Sequence, residues 1–291
     1  MNENTEISNI IINTINIIFQ NLFSSIDSKL YDILDNLAFI NTDILKDKYF
    51  SNIFGTSTTS GILLISNSLL IGIIIYFSIK FLMSSFIDNK IESPIQFIFK
   101  LLIFGICMNS AYFIIEQIIK LNFNISAAIM SIGEDIFGKK ICFSSLIYNI
   151  NLSLSKSNEL NIFTIEGITT GAIITSLLNL VFSYSVRYIM VKIFILLSPF
   201  AFLSLCLEST SWFFRAWSKN LFSLLLVQII ISIILVIIFS MDYESYDLLT
   251  KYLYIGAISC LIKVNSIVKE FIGGISTEIR NNIQGLKIGK R

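Results

Sequence analysis

The chain contains no histidine. That absence removes histidine-based triads, histidine zinc sites and the usual neutral-pH proton shuttle. Cysteine is scarce and badly spaced for chemistry. Cys107, Cys142, Cys206 and Cys260 form no Cys-x-x-Cys pair, and three of them lie in apolar runs, which argues against a zinc site or a disulfide framework. Charge is also sparse, at 14% of 291 residues, whereas soluble domains carry about 25%. The net charge of +1 provides no global attraction to nucleic acid. Proline occurs twice. What fills the chain instead is apolar: 54% of residues are hydrophobic, and 25 are phenylalanine. This balance excludes a water-soluble fold and predicts an all-α, polytopic membrane bundle.

A helix needs about 20 apolar residues to cross about 30 Å of hydrocarbon. Five segments meet that need: about 61–83, 95–117, 167–186, 220–241 and 248–268. The last is interrupted by Lys251 and Lys263, which can snorkel to the interfaces. Residues 193–207 are apolar but too short, and Ser198-Pro199 breaks them. They read as a re-entrant or interfacial element, with six spans as the alternative count. The start, Met1-Asn2-Glu3-Asn4, lacks a basic region and predicts no secretory signal.

Charge sorts the loops. With five spans, residues 80–100, 187–219 and 263–291 collect 13 of the 21 Lys/Arg, including all four arginines, against 5 acids. The opposite side collects 8 bases and 15 acids. The positive-inside rule then places the C-terminus in the cytoplasm and the N-terminus outside, at a plasma (inner) membrane. The expected organisation is an extracytoplasmic helical region over 1–59, a membrane hairpin over 60–119 and an extracytoplasmic loop region over 120–166. A membrane core over 167–269 and a basic tail over 270–291 complete it. Ile7, Ile11, Ile15, Ile18 and Leu22 fall at helical spacing and predict an amphipathic helix. Its polar face has no Lys or Arg, so a partner protein or the outer membrane surface suits it better than anionic lipid, with packing on the spans as the alternative. Residues 27–48, with five aspartates, read as a solvated helix. Residues 121–160 read as short helical patches broken by Gly133 and Gly138.

Polar residues inside the spans form the candidate site. Gly167, Gly171, Thr175, Asn179, Ser183 and Arg187 recur every four residues, so neighbours lie on adjoining turns. Gly167-x-x-x-Gly171 is a close-approach spacing for helix backbones. The stripe drifts around the helix, because four residues exceed one 3.6-residue turn. It serves either tight helix packing or a polar path facing a neighbouring subunit. Gln228, with Ser232 one turn on, sits in the fourth span, where an amide needs a partner. Asn109 and Ser110 are candidates to partner it or Asn179. No Asp or Glu lies mid-span, against the habit of ion-coupled transporters. No Gly-x-x-x-x-Gly-Lys-Ser/Thr motif is present. The residues point to no enzyme, no cofactor and no metal.

The most distinctive stretch runs from Arg187 to Lys219. Arg187 and Lys192 precede Ser198-Pro199-Phe200-Ala201, then a polar Glu208-Ser209-Thr210-Ser211 turn that can cap a helix. Trp212, Phe213, Phe214 and Trp217 alternate with Arg215 and Lys219, as an aromatic, basic interface belt does. Arg187, Lys192, Pro199, Trp212, Arg215, Trp217 and Lys219 are therefore the expected cytoplasmic-side interface, serving either lipid anchoring or docking.

From about residue 60 to 270 the chain resembles the TrbL-like polytopic membrane subunit of conjugative type IV secretion systems, in the short form of Gram-positive elements. The likeness rests on Lys100-Leu-Leu-Ile, Arg187…Ser198-Pro199-Phe200-Ala201, Trp212–Trp217, Gln228 and Leu261-Ile262-Lys263…Ser266…Lys269. It implies a non-enzymatic channel or scaffold subunit, present in several copies at the base of the channel. The implied partners are cytoplasmic ATPases, an extracytoplasmic subunit, further copies of the chain, the lipid bilayer and, transiently, DNA-relaxase cargo. A small-solute transporter or permease and a holin-like membrane protein are the alternatives.

Overall fold

The computed structural model describes residues 14–15, 17–18, 28–55, 61–84, 93–147, 165–241 and 248–272. The amphipathic helix expected over 7–22 lies almost wholly outside them, as does the basic tail past Ile272. The fold is all-α, with no strand among the described residues. Its helices are α1 (Ser28–Ala38), α2 (Asp43–Lys46), α3 (Lys48–Phe54), α4 (Ile62–Ser84), α5 (Pro94–Asn109), α6 (Ala111–Phe137), α7 (Ile165–Leu196), α8 (Ser198–Leu203), α9 (Ser211–Phe239) and α10 (Leu248–Ile272). Five are long and apolar enough to cross a membrane: α4, α6, α7, α9 and α10.

The second of those spans is not where hydropathy alone puts it. The expected segment 95–117 straddles a break at Ser110, which separates α5 from α6. Ser110 still donates to Ile106 O, and Ile114 donates to Ser110 O, so the chain bends without reversing. The two helices, of 16 and 27 residues, are together too long for one crossing at 1.5 Å per residue. The helix long and apolar enough to span is α6, and Pro94–Asn109 is a shorter apolar helix. Glu116, Lys120, Glu134 and Asp135 interrupt the apolar run of α6, so it carries no continuous hydrophobic stretch of spanning length. The patches expected over 121–160 are thus, up to Phe137, one continuous helix. Its buried stripe is Ala111, Ile115, Ile119, Asn122, Ser126 and Gly133, a single helical face. A Cβ at Gly133 would sit 2.9 Å from Val236 Cγ2, so this glycine lets α6 close onto α9.

α4 and α5 form an antiparallel hairpin. Phe77 and Phe97 stack with centroids 3.5 Å apart. Asn67 and Asn109 exchange reciprocal amide hydrogen bonds at 3.2 Å, which fixes the register. Asn109 therefore partners neither Gln228 nor Asn179. Most of the hairpin's apolar surface faces outward, with Ile65, Ile71, Ile75, Leu82, Ile98 and Phe99 exposed. That suits lipid.

α7 extends through Arg187 and Lys192 to Leu196, one stage further than expected from its charges. Ile173, Leu177, Leu180, Tyr184, Val191 and Ile195 form its buried stripe, and Arg187 lies on it. After α8 and two 3-10 turns, α9 returns antiparallel, with Trp217 Nε1 donating to Phe194 O at 2.7 Å. Residues 197–210 therefore link two spans at one end and do not cross. The first turn of the expected re-entrant segment, 193–196, belongs to α7. Ser198, Pro199, Ala201 and Leu203 are buried, because α8 lies between the ends of the long helices and the α4–α5 hairpin.

The largest departure is residues 28–54. They are not a solvated helix but an interrupted strap along the bundle. Leu34, Ala38, Ile40, Ile44, Leu45, Phe50 and Phe54 are all buried. Asn41 builds the interruption: its side chain accepts from Asp43 N and donates to Asp43 Oδ2, both at 2.8 Å. Asp47 caps α3 by accepting from Tyr49 N. Gly55 closes α3 in the left-handed region at φ 96. Gly61, at φ 128, approaches so closely that its Cβ would sit 2.7 Å from Gly55 Cα. Gly61→Ala is expected to destabilise the purified protein by about 1 kcal/mol or more through both strain and clash, read as a lowered thermal midpoint. A midpoint equal to wild type would contradict this approach of Gly61 to Gly55.

Candidate functional site

The four-residue stripe on α7 divides. Ser183 and Arg187 are buried, while Thr175 and Asn179 are exposed on the outer surface. Gly171 is half-buried, and Gly167 lies in the first turn of the helix. Each four-residue step turns about 400°, so the stripe drifts about 40° per member and leaves one face for another. Thr175 returns its hydroxyl to Gly171 O at 2.9 Å. Asn179 makes no hydrogen bond within the described residues, and Asn179→Leu is expected to leave the unfolding midpoint unchanged.

The inward half of the stripe joins a polar layer across the bundle. Ser183 accepts from Asn265 Nδ2 of α10 at 3.0 Å, and Tyr184 Oη donates to Leu261 O at 3.3 Å. Asn265 and Leu261 lie in the lysine-interrupted last span; Leu261 belongs to the stretch that carries the family resemblance, and nothing in the sequence marks Asn265 as the partner of Ser183. Gln228 of α9 is 1% exposed, and its Oε1 accepts from Ile40 N of the strap at 3.1 Å. Ser232 donates back to Gln228 O at 3.1 Å, so it serves its own helix. The contact of Gly133 with Val236 sets α6 beside α9 with Asn122 and Ser126 at about the level of Gln228. Ser126 donates to Asn122 O at 3.1 Å. Their position on α6's inner stripe was the available signal, obscured once that region was read as outside the membrane.

Arg187 is the centre of this layer. It is 0% exposed, and one of its terminal nitrogens donates to Leu37 O at 2.9 Å and to Ala38 O at 2.5 Å. These are the final residues of α1, where helix carbonyls lack partners and the helix dipole is negative. The cation therefore caps a helix C-terminus. No carboxylate pairs with it among the described residues. Its guanidinium carbon sits 5.4 Å from the Tyr184 ring centroid. The assignment of Arg187 to a membrane-end interface is corrected: it is a bundle-core residue. Its position on the apolar stripe of α7 signals this, but a charge at the end of an apolar run reads as a boundary.

The strap is held elsewhere too. Asp35 accepts from Phe143 N at 2.8 Å, Ser144 N at 3.2 Å and Ser144 Oγ at 2.7 Å. Tyr112 Oη donates to Leu45 O at 3.0 Å. Lys192 pairs with Asp47 at 3.4 Å and lies 5.4 Å from the rings of Phe50 and Tyr188. That pair joins residues the charge count assigns to opposite sides of the membrane. Residues 28–54 therefore do not lie in a separate outer region.

The remaining interface candidates also split. Trp212, Arg215 and Lys219 are exposed at the start of α9. Trp217 is 4% exposed, packed against Phe202 and Phe214 with centroids 5.7 and 5.6 Å away. Pro199 is buried in α8, the helix that also carries Phe202. Trp217 and Pro199 therefore hold the α7–α9 turn, and only the exposed trio offers a surface.

Among the described residues, no group of three His, Cys, Asp or Glu could hold a metal ion. Comparison with protein-family models, with curated proteins and with solved structures returns no match.

Removing the Asn265–Ser183 bond tests the layer directly. A double-mutant cycle with Asn265→Leu and Ser183→Ala is expected to give a coupling of about 0.6–1.7 kcal/mol, the range of intramembrane side-chain pairs. A coupling of zero would contradict it.

Proposed function

We propose that the chain is a channel or scaffold subunit at the membrane base of a type IV secretion machine that transfers conjugative DNA. The observation that carries this reading is the polar layer of Ser183, Arg187, Gln228 and Asn265, enclosed in a multi-pass bundle whose outer faces are apolar. The resemblance of the Arg187–Lys219 segment to TrbL-like subunits supports it. With no phosphate-binding loop in the sequence, work on a cargo falls to partner ATPases. Trp212, Arg215 and Lys219 form the docking face for those ATPases, on the cytoplasmic side of an inner membrane with the C-terminal tail. An extracytoplasmic subunit, further copies of the chain and the DNA-relaxase cargo complete the assembly.

Deletion is expected to abolish conjugative transfer and leave small-solute uptake unchanged. Arg215→Glu with Lys219→Glu is expected to reduce co-purification with the secretion ATPases while the protein stays folded and membrane-inserted. Undiminished transfer from the deletion strain would defeat the reading.

A second reading is a small-solute permease. The interrupted strap favours it, because broken helices often form substrate sites in transporters. Loss of uptake of a solute with DNA transfer intact would select it.

A further inference from the structure

We propose that residues 28–54 are a displaceable strap, docked here on Arg187 and Gln228, whose release opens the polar layer of the bundle. The inference does not depend on the secretion reading.

Three observations converge on it. First, the strap is peripheral: Ile33, Tyr49 and Ile53 on its outer face are exposed, while its inner face lies along α7. The helices α6, α7, α9 and α10 pack on one another without it. Second, its backbone is interrupted at the level of the polar layer. Both sides of the interruption are held by bundle side chains, Arg187 on the carbonyls of Leu37 and Ala38 and Gln228 on the amide of Ile40. Non-helical backbone at membrane depth persists only where protein or water satisfies it. Third, the grip is incomplete. Nε and the second terminal nitrogen of Arg187, and Nε2 of Gln228, are buried without a hydrogen-bond partner. A buried network with unmet donors is penalised relative to an arrangement that wets them. The docked state is thus poised against a second one. In that second state the strap's apolar residues remain in lipid or against the bundle edge, while Arg187 and Gln228 meet water.

Asp35 at one end and Lys192–Asp47 at the other act as latches. Both are polar contacts near the strap's surface, so each can open without unpacking a long helix.

Hydrogen exchange read by mass spectrometry on the full chain in lipid nanodiscs tests this. In the wild type, amides of residues 38–45 are expected to exchange at least a hundredfold faster than those of 221–235 in α9. Strap amides as protected as α9 would overturn the proposal, and this measurement needs no variant. Asp35→Asn and Arg187→Lys are expected to speed the strap a further tenfold or more with α9 unchanged. If α9 accelerates in parallel, the strap belongs to one cooperative unit with the bundle, and the proposal fails.

Discussion

Replacing Arg187 with alanine is expected to lower stability by about 2–4 kcal/mol, one of the two largest losses from any single change. The carbonyls of Leu37 and Ala38 lose their donor, at about 1–3 kcal/mol each for buried groups. A cavity forms where a fully buried long side chain stood, which adds to the loss. Deleting the cation offsets part of this, since a buried charge with no counter-ion carries a desolvation cost of its own. Arg187→Met fills the volume but strands the same carbonyls, so it is expected to lose less than alanine and more than lysine. Lysine keeps a cation for the α1 C-terminus but reaches the two carbonyls less well than a guanidinium does. Unfolding midpoints in mixed detergent titrated with SDS give the order wild type, lysine, methionine, alanine. An alanine variant as stable as wild type would show that Arg187 does not cap α1.

Trp217→Ala is expected to cost about 3–5 kcal/mol, the usual range for removing a buried aromatic. The indole also loses a 2.7 Å hydrogen bond to Phe194 O, which ties the end of α7 to the start of α9. Trp212→Ala, five residues earlier and exposed, is expected to stay within about 0.5 kcal/mol. The contrast separates two tryptophans that read alike as an interface belt. Thermal unfolding followed by size-exclusion retention is sufficient to measure it. Equal effects from the two would mean that α7 and α9 do not meet at Phe194.

The membrane class was legible because composition acts directly on solvation. Apolar runs near 20 residues mark helices whose backbone must be satisfied internally, whatever they pack against. Four of the five spans, α4, α7, α9 and α10, lie on the expected runs, with α7 longer than its run. A break near Pro199 was legible too, since proline lacks a backbone donor and suits only the first turn of a helix; the break falls at Leu197, and Ser198-Pro199 open α8. Gln228 stood out as an amide in hydrocarbon, but its partner did not. That partner is the backbone amide of Ile40, 188 residues away, and a backbone group leaves no mark in the sequence.

The sequence by itself therefore determined an all-α membrane bundle, most of its spans and the non-crossing turn, because these follow from local hydropathy and backbone chemistry. Only the tertiary structure decided that residues 28–54 line the bundle, that α6 is the second span, and that Arg187 belongs to the core. The physical reason is the same in each case. A charged or amide side chain shows in the sequence only that it needs water or a partner, and packing alone decides which one it finds. Here the partners are the carbonyl end of α1, the amide of Ile40 and the hydroxyl of Ser183, all supplied from far along the chain.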